Sequence, residues 1–81
     1  MNSEIRRYDI VALLEDVPTR HFDTGAPLTL RRGQIGTVVM TYDGSAFDVE
    51  FPDAKGRAFA MLPISADKLI LLHDAPATAA V

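Results

Sequence analysis

The chain has 81 residues, of which 48% are hydrophobic, and its eight basic and eleven acidic residues give a formal net charge of −3. This length accommodates one folded domain, and the hydrophobic share is too high for a disordered chain. Because the chain has no cysteine, disulfide scaffolds, thiolate metal sites and cysteine nucleophiles are excluded, and the acidic balance argues against a phosphate-binding protein.

The first predicted element is a short apolar strand that is followed by a long loop. Residues 8–14 (YDIVALL) contain β-branched side chains, and Pro18 ends regular structure soon after them. Residues 15–32 contain two prolines and a glycine and show no sustained period, which indicates a loop. Loops of this length are often functional. Residues 1–7 are expected to form a flexible N-terminus without the apolar segment of a signal peptide.

The middle of the chain is predicted to form a strongly bent strand and a hairpin. Gly33 and Gly36 precede a β-branched run, which is typical of a tight turn that leads into a bent strand. The dipeptide Asp43-Gly44 lies between two apolar runs and predicts a hairpin, because both positions tolerate positive φ. In the returning strand, residues 46–51, apolar and acidic side chains alternate.

Two further strands complete the predicted fold. Residues 57–62 form the first, and residues 68–72 form the second after a single turn of 3₁₀ helix capped by Ser65. This order of strand, long loop, three meandering strands, helical turn and strand is that of an all-β, five-stranded SH3-like barrel, whose closure removes exposed strand edges. The predicted barrel spans residues 8–72, and residues 73–81 are expected to be a disordered tail.

Apolar alternation also predicts which side chains form the core of this domain. Six side chains are expected to be buried, and they are Ile10, Val38, Phe47, Val49, Phe51 and Leu71. Replacing the central residue of this set, Val49, by aspartate should therefore bury an unpaired charge and unfold the domain.

Three segments of the chain resemble a family of short bacterial proteins that contain a domain of unknown function. They are residues 8–16 (YDIVALLED), 30–39 (LRRGQIGTVV) and 48–51 (DVEF), and the glycine-containing middle segment is the most specific. The resemblance implies an SH3-like barrel and no assigned activity, and the genes of such proteins are often thought to lie beside those of toxin-like partners. More distantly, residues 33–38 are similar to the KOW motif of ribosomal and transcription-associated barrels, and the layout resembles small barrel subunits that help ferredoxin dock to photosynthetic complexes.

The candidate binding residues lie in the predicted long loop and at its end. Phe22 beside Arg20 and His21 has the composition of an interface anchor; the alternative is that Phe22 folds back over an open end of the barrel. Arg31 and Arg32, together with Arg20, could form a small basic patch for phosphate or for an acidic protein surface; the alternative is that they only solubilise the rim.

The sequence contains no pattern that predicts catalysis, a metal site or a cofactor. The serines lie in a terminus, a turn and a helix cap, without the base and orienting acid that a serine nucleophile requires. The two histidines, His21 and His73, fall short of three or four converging metal ligands. Gly33 and Gly36 precede a strand rather than the helix on which phosphate-binding loops depend.

These observations predict a small, non-enzymatic protein-interaction module that neutralises or assists a neighbouring protein. A cytoplasmic location is expected, because the chain lacks cysteine and any apolar stretch of the roughly 20 residues that cross a bilayer. Two alternatives remain: a KOW-like nucleic-acid-binding domain that uses Arg31 and Arg32, against which the acidic charge counts, and a small structural subunit of a larger complex. The absence of tryptophan argues against a polyproline-binding groove.

Overall fold

A computed structural model of the protein describes residues 4–77. This part of the chain forms seven strands and one 3₁₀ helix, so the all-β prediction is confirmed. The elements are β1 (Ile10–Leu13), β2 (Val17–Arg20), β3 (Pro27–Leu30), β4 (Ile35–Tyr42), β5 (Ala46–Pro52), β6 (Ala58–Ser65), the 3₁₀ helix (Ala66–Lys68) and β7 (Leu69–Leu71). No helix within residues 4–77 is long and apolar enough to cross a membrane.

Five of the strands form one antiparallel sheet with the order β6-β5-β4-β1-β7. The edge strands β6 and β7 do not pair with each other, so the sheet is open. The predicted five-stranded barrel is therefore wrong: the sheet does not close, and the described residues contain seven strands. Closure requires a strand tilt and a staggered register that bring the two edges of a sheet together. Here the edge strand β7 has only three residues and pairs with β1 alone.

The two additional strands lie within the segment that was predicted to be a long loop. Strand β2 pairs antiparallel with β3 in a separate two-stranded ribbon, from Val17 opposite Leu30 to Arg20 opposite Pro27. Proline in each strand obscures the strand pattern in the sequence. It is tolerated because each strand of a two-stranded ribbon has a free edge, where a missing N–H costs no ladder bond.

The core lies between one face of the large sheet and the β2–β3 hairpin. The alternating apolar residues of β5 are fully buried, as predicted. Leu30 of the hairpin is also fully buried, and Val17 and Leu28 pack against the same cluster, so the hairpin covers this face of the sheet. The core residues are Ile5, Val11, Leu13, Leu30, Val38, Phe47, Val49, Phe51, Ala60, Ile64 and Leu69.

Two of the six core predictions differ from the structure. Ile10 is 43% exposed, because the inward-facing positions of β1 are Val11 and Leu13 and successive side chains of a strand point to opposite faces. Leu71 is half-buried against the core, since β7 is an edge strand. Ile5, which precedes the predicted barrel, belongs to the core. The expectations for residues 1–3 and 78–81 lie outside the described residues.

The glycines before and within β4 serve two different purposes. Gly33 adopts a φ of 87° in the turn, and a Cβ there would meet nothing within 4 Å. Gly36 is buried, and a Cβ there would lie 2.6 Å from Val49 Cγ1 and 2.9 Å from the Glu50 carbonyl oxygen. Glycine is therefore needed at position 33 for its positive φ, whereas at position 36 it is needed because a side chain would clash with β5. A register shift between β4 and β5 lies further along, between Val38 and Met40, and a β-bulge of this kind bends a strand.

Candidate functional site

The predicted binding residues Arg20, His21 and Phe22 lie where the β2–β3 hairpin turns, in a segment that we call the hairpin tip (residues 20–27). The His21 N–H donates to the Ala26 carbonyl at 2.9 Å, and the Gly25 N–H donates to the His21 carbonyl at 2.8 Å. The Arg20 guanidinium also binds this turn, because its Nη1 donates to the Gly25 carbonyl at 2.9 Å. The hairpin tip is therefore an internally hydrogen-bonded turn rather than an open loop.

The imidazole of His21 contributes to the shape of the hairpin tip. Its Nδ1 accepts the N–H of Asp23 at 3.1 Å and that of Thr24 at 3.4 Å. An accepting Nδ1 places the proton of the neutral ring on Nε2. The ring centroid lies 6.0 Å from that of Phe22 and 6.3 Å from that of Phe59, within the range of aromatic pairing. His21 is thus committed to contacts within the chain.

Phe22 has a fixed backbone and an exposed side chain. Its N–H donates to the carbonyl of Phe59 in β6 at 3.0 Å, which ties the hairpin tip to the edge of the large sheet. The phenyl side chain is 54% exposed, so Phe22 does not fold back into the core. Phe59 is the aromatic residue that packs against the core at this position. The anchored backbone holds this exposed side chain at a fixed place on the surface, which lowers the entropic cost of an interface.

Arg31 and Arg32 lie at the opposite end of the hairpin, directly after β3. The hairpin ladder between the two ends spans three residue steps, or about 10 Å, so these arginines do not join the hairpin tip in one patch. The Arg31 N–H donates to Gln34 Oε1 at 3.0 Å, and the Arg32 N–H donates to Asp16 Oδ1 at 2.7 Å. Their backbone groups thus hold the turn before β4, while their side chains are exposed.

The face of the sheet that points away from the core carries an exposed apolar surface that the sequence analysis did not identify. Ala12 lies at its centre, opposite Ile35 of β4 on one side and Ile70 of β7 on the other. The Leu72 N–H donates to the Ile10 carbonyl at 3.0 Å, which places these two residues in the neighbouring row. We call this surface the outer apolar face, and it comprises Ile10, Ala12, Leu14, Ile35, Ile70 and Leu72.

One signal in the sequence could have revealed the outer apolar face. Residues 10–14 (IVALL) are apolar at every position, which is the pattern of a strand that is covered on both faces. Val11 and Leu13 account for the core face of β1. The remaining positions, Ile10, Ala12 and Leu14, must then make the opposite face apolar as well.

The acidic side chains of the β4–β5 hairpin and the β5–β6 loop make local contacts. The Tyr42 hydroxyl donates to Asp48 Oδ2 at 2.7 Å, and this hydrogen bond, with smaller contributions from burial and from the carboxylate charge, raises the pKa of Tyr42. The pKa of Asp53 is lowered, first by the hydrogen bond from the Arg57 N–H and further by that from the Lys55 N–H. Within residues 4–77, no three histidine, aspartate or glutamate side chains form a group that could hold a metal ion.

A comparison with known protein families finds one match over most of the chain. The family model described as a domain of unknown function, DUF4926, matches residues 7–71. This range includes all seven strands, the hairpin tip and all residues of the outer apolar face except Leu72. The match confirms the family resemblance that the sequence segments indicated. No curated protein and no solved structure matches the chain.

Proposed function

We propose that this chain, which belongs to the DUF4926 family of domains of unknown function, is a small non-enzymatic module that binds another protein through its hairpin tip. The observation that carries this proposal is the 54% exposure of Phe22 on a backbone that is hydrogen-bonded to β6. Energetically dominant interface residues are mostly large side chains that enter a desolvated pocket of the partner. The Phe22 side chain can enter such a pocket without a rearrangement of its own backbone.

Arg20 defines the chemistry of the partner surface. One of its guanidinium nitrogens is occupied by the Gly25 carbonyl, and an arginine offers five N–H donors in total. The remaining donors can form a bidentate contact with a carboxylate beside the pocket that receives Phe22. We therefore propose that the partner presents an apolar pocket bordered by an acidic side chain. We further propose that this module neutralises or assists that partner in the bacterial cytoplasm.

We also propose that the fold is an opened relative of the SH3-like barrel. The order of a first strand, an inserted hairpin, a three-stranded meander, a 3₁₀ turn and a last strand supports this relationship. In this interpretation the hairpin tip belongs to the long connection after the first strand, where loops supported by a rigid scaffold commonly carry binding residues.

The test is co-purification from the native host with the tagged full-length chain, followed by measurement of the affinity for the purified partner. Phe22→Ala should reduce that affinity at least about 30-fold, the loss expected of a dominant interface residue. Met61→Ala is the matched control, because Met61 is equally exposed, at 54%, and lies on β6 outside the hairpin tip. Thermal unfolding of both variants should match that of the wild type, since both side chains lie at the surface.

Two results would overturn the proposal. In one, the host yields no stoichiometric protein partner; in the other, Phe22→Ala binds the partner as tightly as Met61→Ala does. Recovery of nucleic acid instead, with retention that falls steeply as salt rises, would support the KOW-like alternative, because neutralised phosphates release counterions. Arg31→Ala and Arg32→Ala would then weaken retention, whereas the Phe22 variant would not.

A further inference from the structure

The outer apolar face is large for a chain of this size. Five of its side chains, all except Ala12, are between 38% and 54% exposed, and they lie on three adjacent strands or directly after them. Together they expose roughly 400 Å² of apolar surface, which is within the size range of the largest patch on a typical monomer and is the kind of patch that marks an interface. The β2–β3 hairpin covers the opposite face of the same sheet, so it leaves this face uncovered.

The depressions at the two ends of the outer apolar face are lined by side chains of opposite charge. At one end, a depression beside Leu14 and Ile70 is lined by Arg32. At the other end, a depression beside Ile10 and Leu72 is lined by Asp9 and Asp74, and it has no basic lining residue other than His73. The two ends are about 13 Å apart along β1.

At the acidic end, the Asp74 carboxylate has no hydrogen-bond or ion-pair partner among the described residues. Asp9 Oδ2 accepts the Arg6 N–H at 2.8 Å. The nearby Arg7 side chain lies over the Tyr8 ring, 4.8 Å from its centroid, and donates to the Val39 carbonyl. Asp74 is exposed and is the acidic group best placed to meet a basic side chain from outside.

We propose that the outer apolar face is the interface of a homodimer, in which two copies stack face to face with their β1 strands antiparallel about a two-fold axis. In such an interface each contact occurs twice, because the same surface faces itself. Rotation about the axis brings the basic end of one copy to the acidic end of the other. Because Arg32 precedes β4 and Asp74 follows β7, on opposite sides of β1, the two sheets must also cross at an angle, as packed sheets do. With such a crossing, Arg32 of each copy meets Asp74 of its partner copy, while the isoleucines pack against each other across the centre.

The available area sets the strength of this dimer. The apolar side chains expose roughly 400 Å² per copy, which is about half of the roughly 800 Å² that each partner buries in a standard interface. We therefore expect a reversible dimer with a dissociation constant on the order of 1–100 μM. Because the hairpins cover the opposite faces, both hairpin tips remain free, and the dimer would present Phe22 twice.

The first experiment measures molar mass by sedimentation across about 1 to 500 μM of the full-length chain. The wild type should rise from the 8.8 kDa monomer mass towards twice that value. Ile70→Lys and Ile35→Lys should remain monomeric throughout, because each places a charge in the centre of the apolar contact. Met61→Lys is the matched control on the same face of the sheet but outside the patch, and it should dimerise as the wild type does. Circular dichroism establishes that each variant is folded.

The second experiment exchanges the charges. Arg32→Asp alone and Asp74→Arg alone should each weaken self-association at least about tenfold, because each sets like charges against each other twice. An equimolar mixture of these two variants should associate again, since both pairs in the heterodimer are then of opposite sign. A strictly monomeric wild type, or an Ile70→Lys variant that dimerises normally, would overturn the proposal. A mixture no tighter than the single variants would overturn the antiparallel arrangement.

Discussion

Replacing Gly36 by alanine should destabilise the domain more than replacing any other glycine for which the space around a Cβ is known. The added Cβ would lie 2.6 Å from Val49 Cγ1, 2.9 Å from the Glu50 carbonyl oxygen and 2.9 Å from Phe51 Cε1. Non-bonded carbon atoms prefer separations of about 3.5–4.0 Å. The Val49 methyl group would thus have to retreat by about 1 Å.

That retreat is difficult, because the atoms that surround Gly36 have little freedom. Val49 is β-branched, fully buried and restricted to few χ1 rotamers, and the Glu50 oxygen belongs to a paired strand. Overpacking costs about 1–3 kcal/mol, and the three contacts under 3.0 Å put Gly36 at the upper end of that range. The alanine recovers about 0.4–1 kcal/mol through the unfolded chain. We expect a net loss of about 2 kcal/mol, which lowers the melting temperature of a domain of this size by about 8–16 °C.

Gly33→Ala is the control that separates lack of space from an unfavourable backbone angle. Gly33 has a φ of 87° and open space around a Cβ, so its substitution should cost about 1 kcal/mol of backbone strain alone. Urea denaturation gives the free energy of unfolding of each variant. In combination with Val49→Ala, which removes the clashing methyl group, the Gly36 variant should cost less than the sum of the two single changes. The Gly33 variant should be additive. Equal losses for the two glycines, or additivity at Gly36, would refute this account.

The remaining predictions concern the register of the sheet and one surface carboxylate. Val49→Asp should unfold the domain by burying an unpaired charge, whereas Ile10→Asp on the opposite face should remain folded; circular dichroism distinguishes them, and a folded Val49→Asp variant would contradict the register. The Arg57 and Lys55 N–H groups lower the pKa of Asp53 in the folded state. The charged Asp53 carboxylate therefore stabilises the fold at pH values above its unfolded pKa of about 4. This stabilisation is lost as the pH falls through the folded pKa. The stability difference between wild type and Asp53→Asn should therefore shrink between pH 5 and pH 3 in urea titrations, and a constant difference would be inconsistent with the lowered pKa.

The meander from β4 to β6 could be predicted because its signals are local. The Asp43-Gly44 turn has positive φ at both positions, as hairpin chemistry requires, and the strict alternation in β5 leaves one possible inward face. The β2–β3 hairpin could not be predicted in the same way. Its strands are four residues long and each contains a proline, so neither strand has a pattern that predicts it alone. The two strands are stabilised by pairing with each other, which only the folded structure shows.

The inward face of β1 could not be derived from its own residues. Where every position from Ile10 to Leu14 is apolar, alternation is absent, and a strand shifted by one residue would expose the other set of side chains. The choice depends on β4 and β7, which pair with β1 so that Val11 lies opposite Gly36 and Leu71. The prediction that Ile10 is buried was therefore wrong for a tertiary reason.

The position of the hairpin tip follows from one feature of the fold, the failure of the sheet to close. In a closed barrel the inner face holds the whole core and the long connection lies at one rim. Here the β2–β3 hairpin covers the core face of the open sheet. In this position the Phe22 N–H donates to β6, which anchors the hairpin tip. Strand β1 is flanked by β4 and β7 and is apolar on both faces, so the face that points away from the hairpin is apolar and uncovered. The hairpin tip and the outer apolar face thus lie on opposite sides of one sheet, so that variants of Phe22 and of Ile70 can alter partner binding and self-association independently.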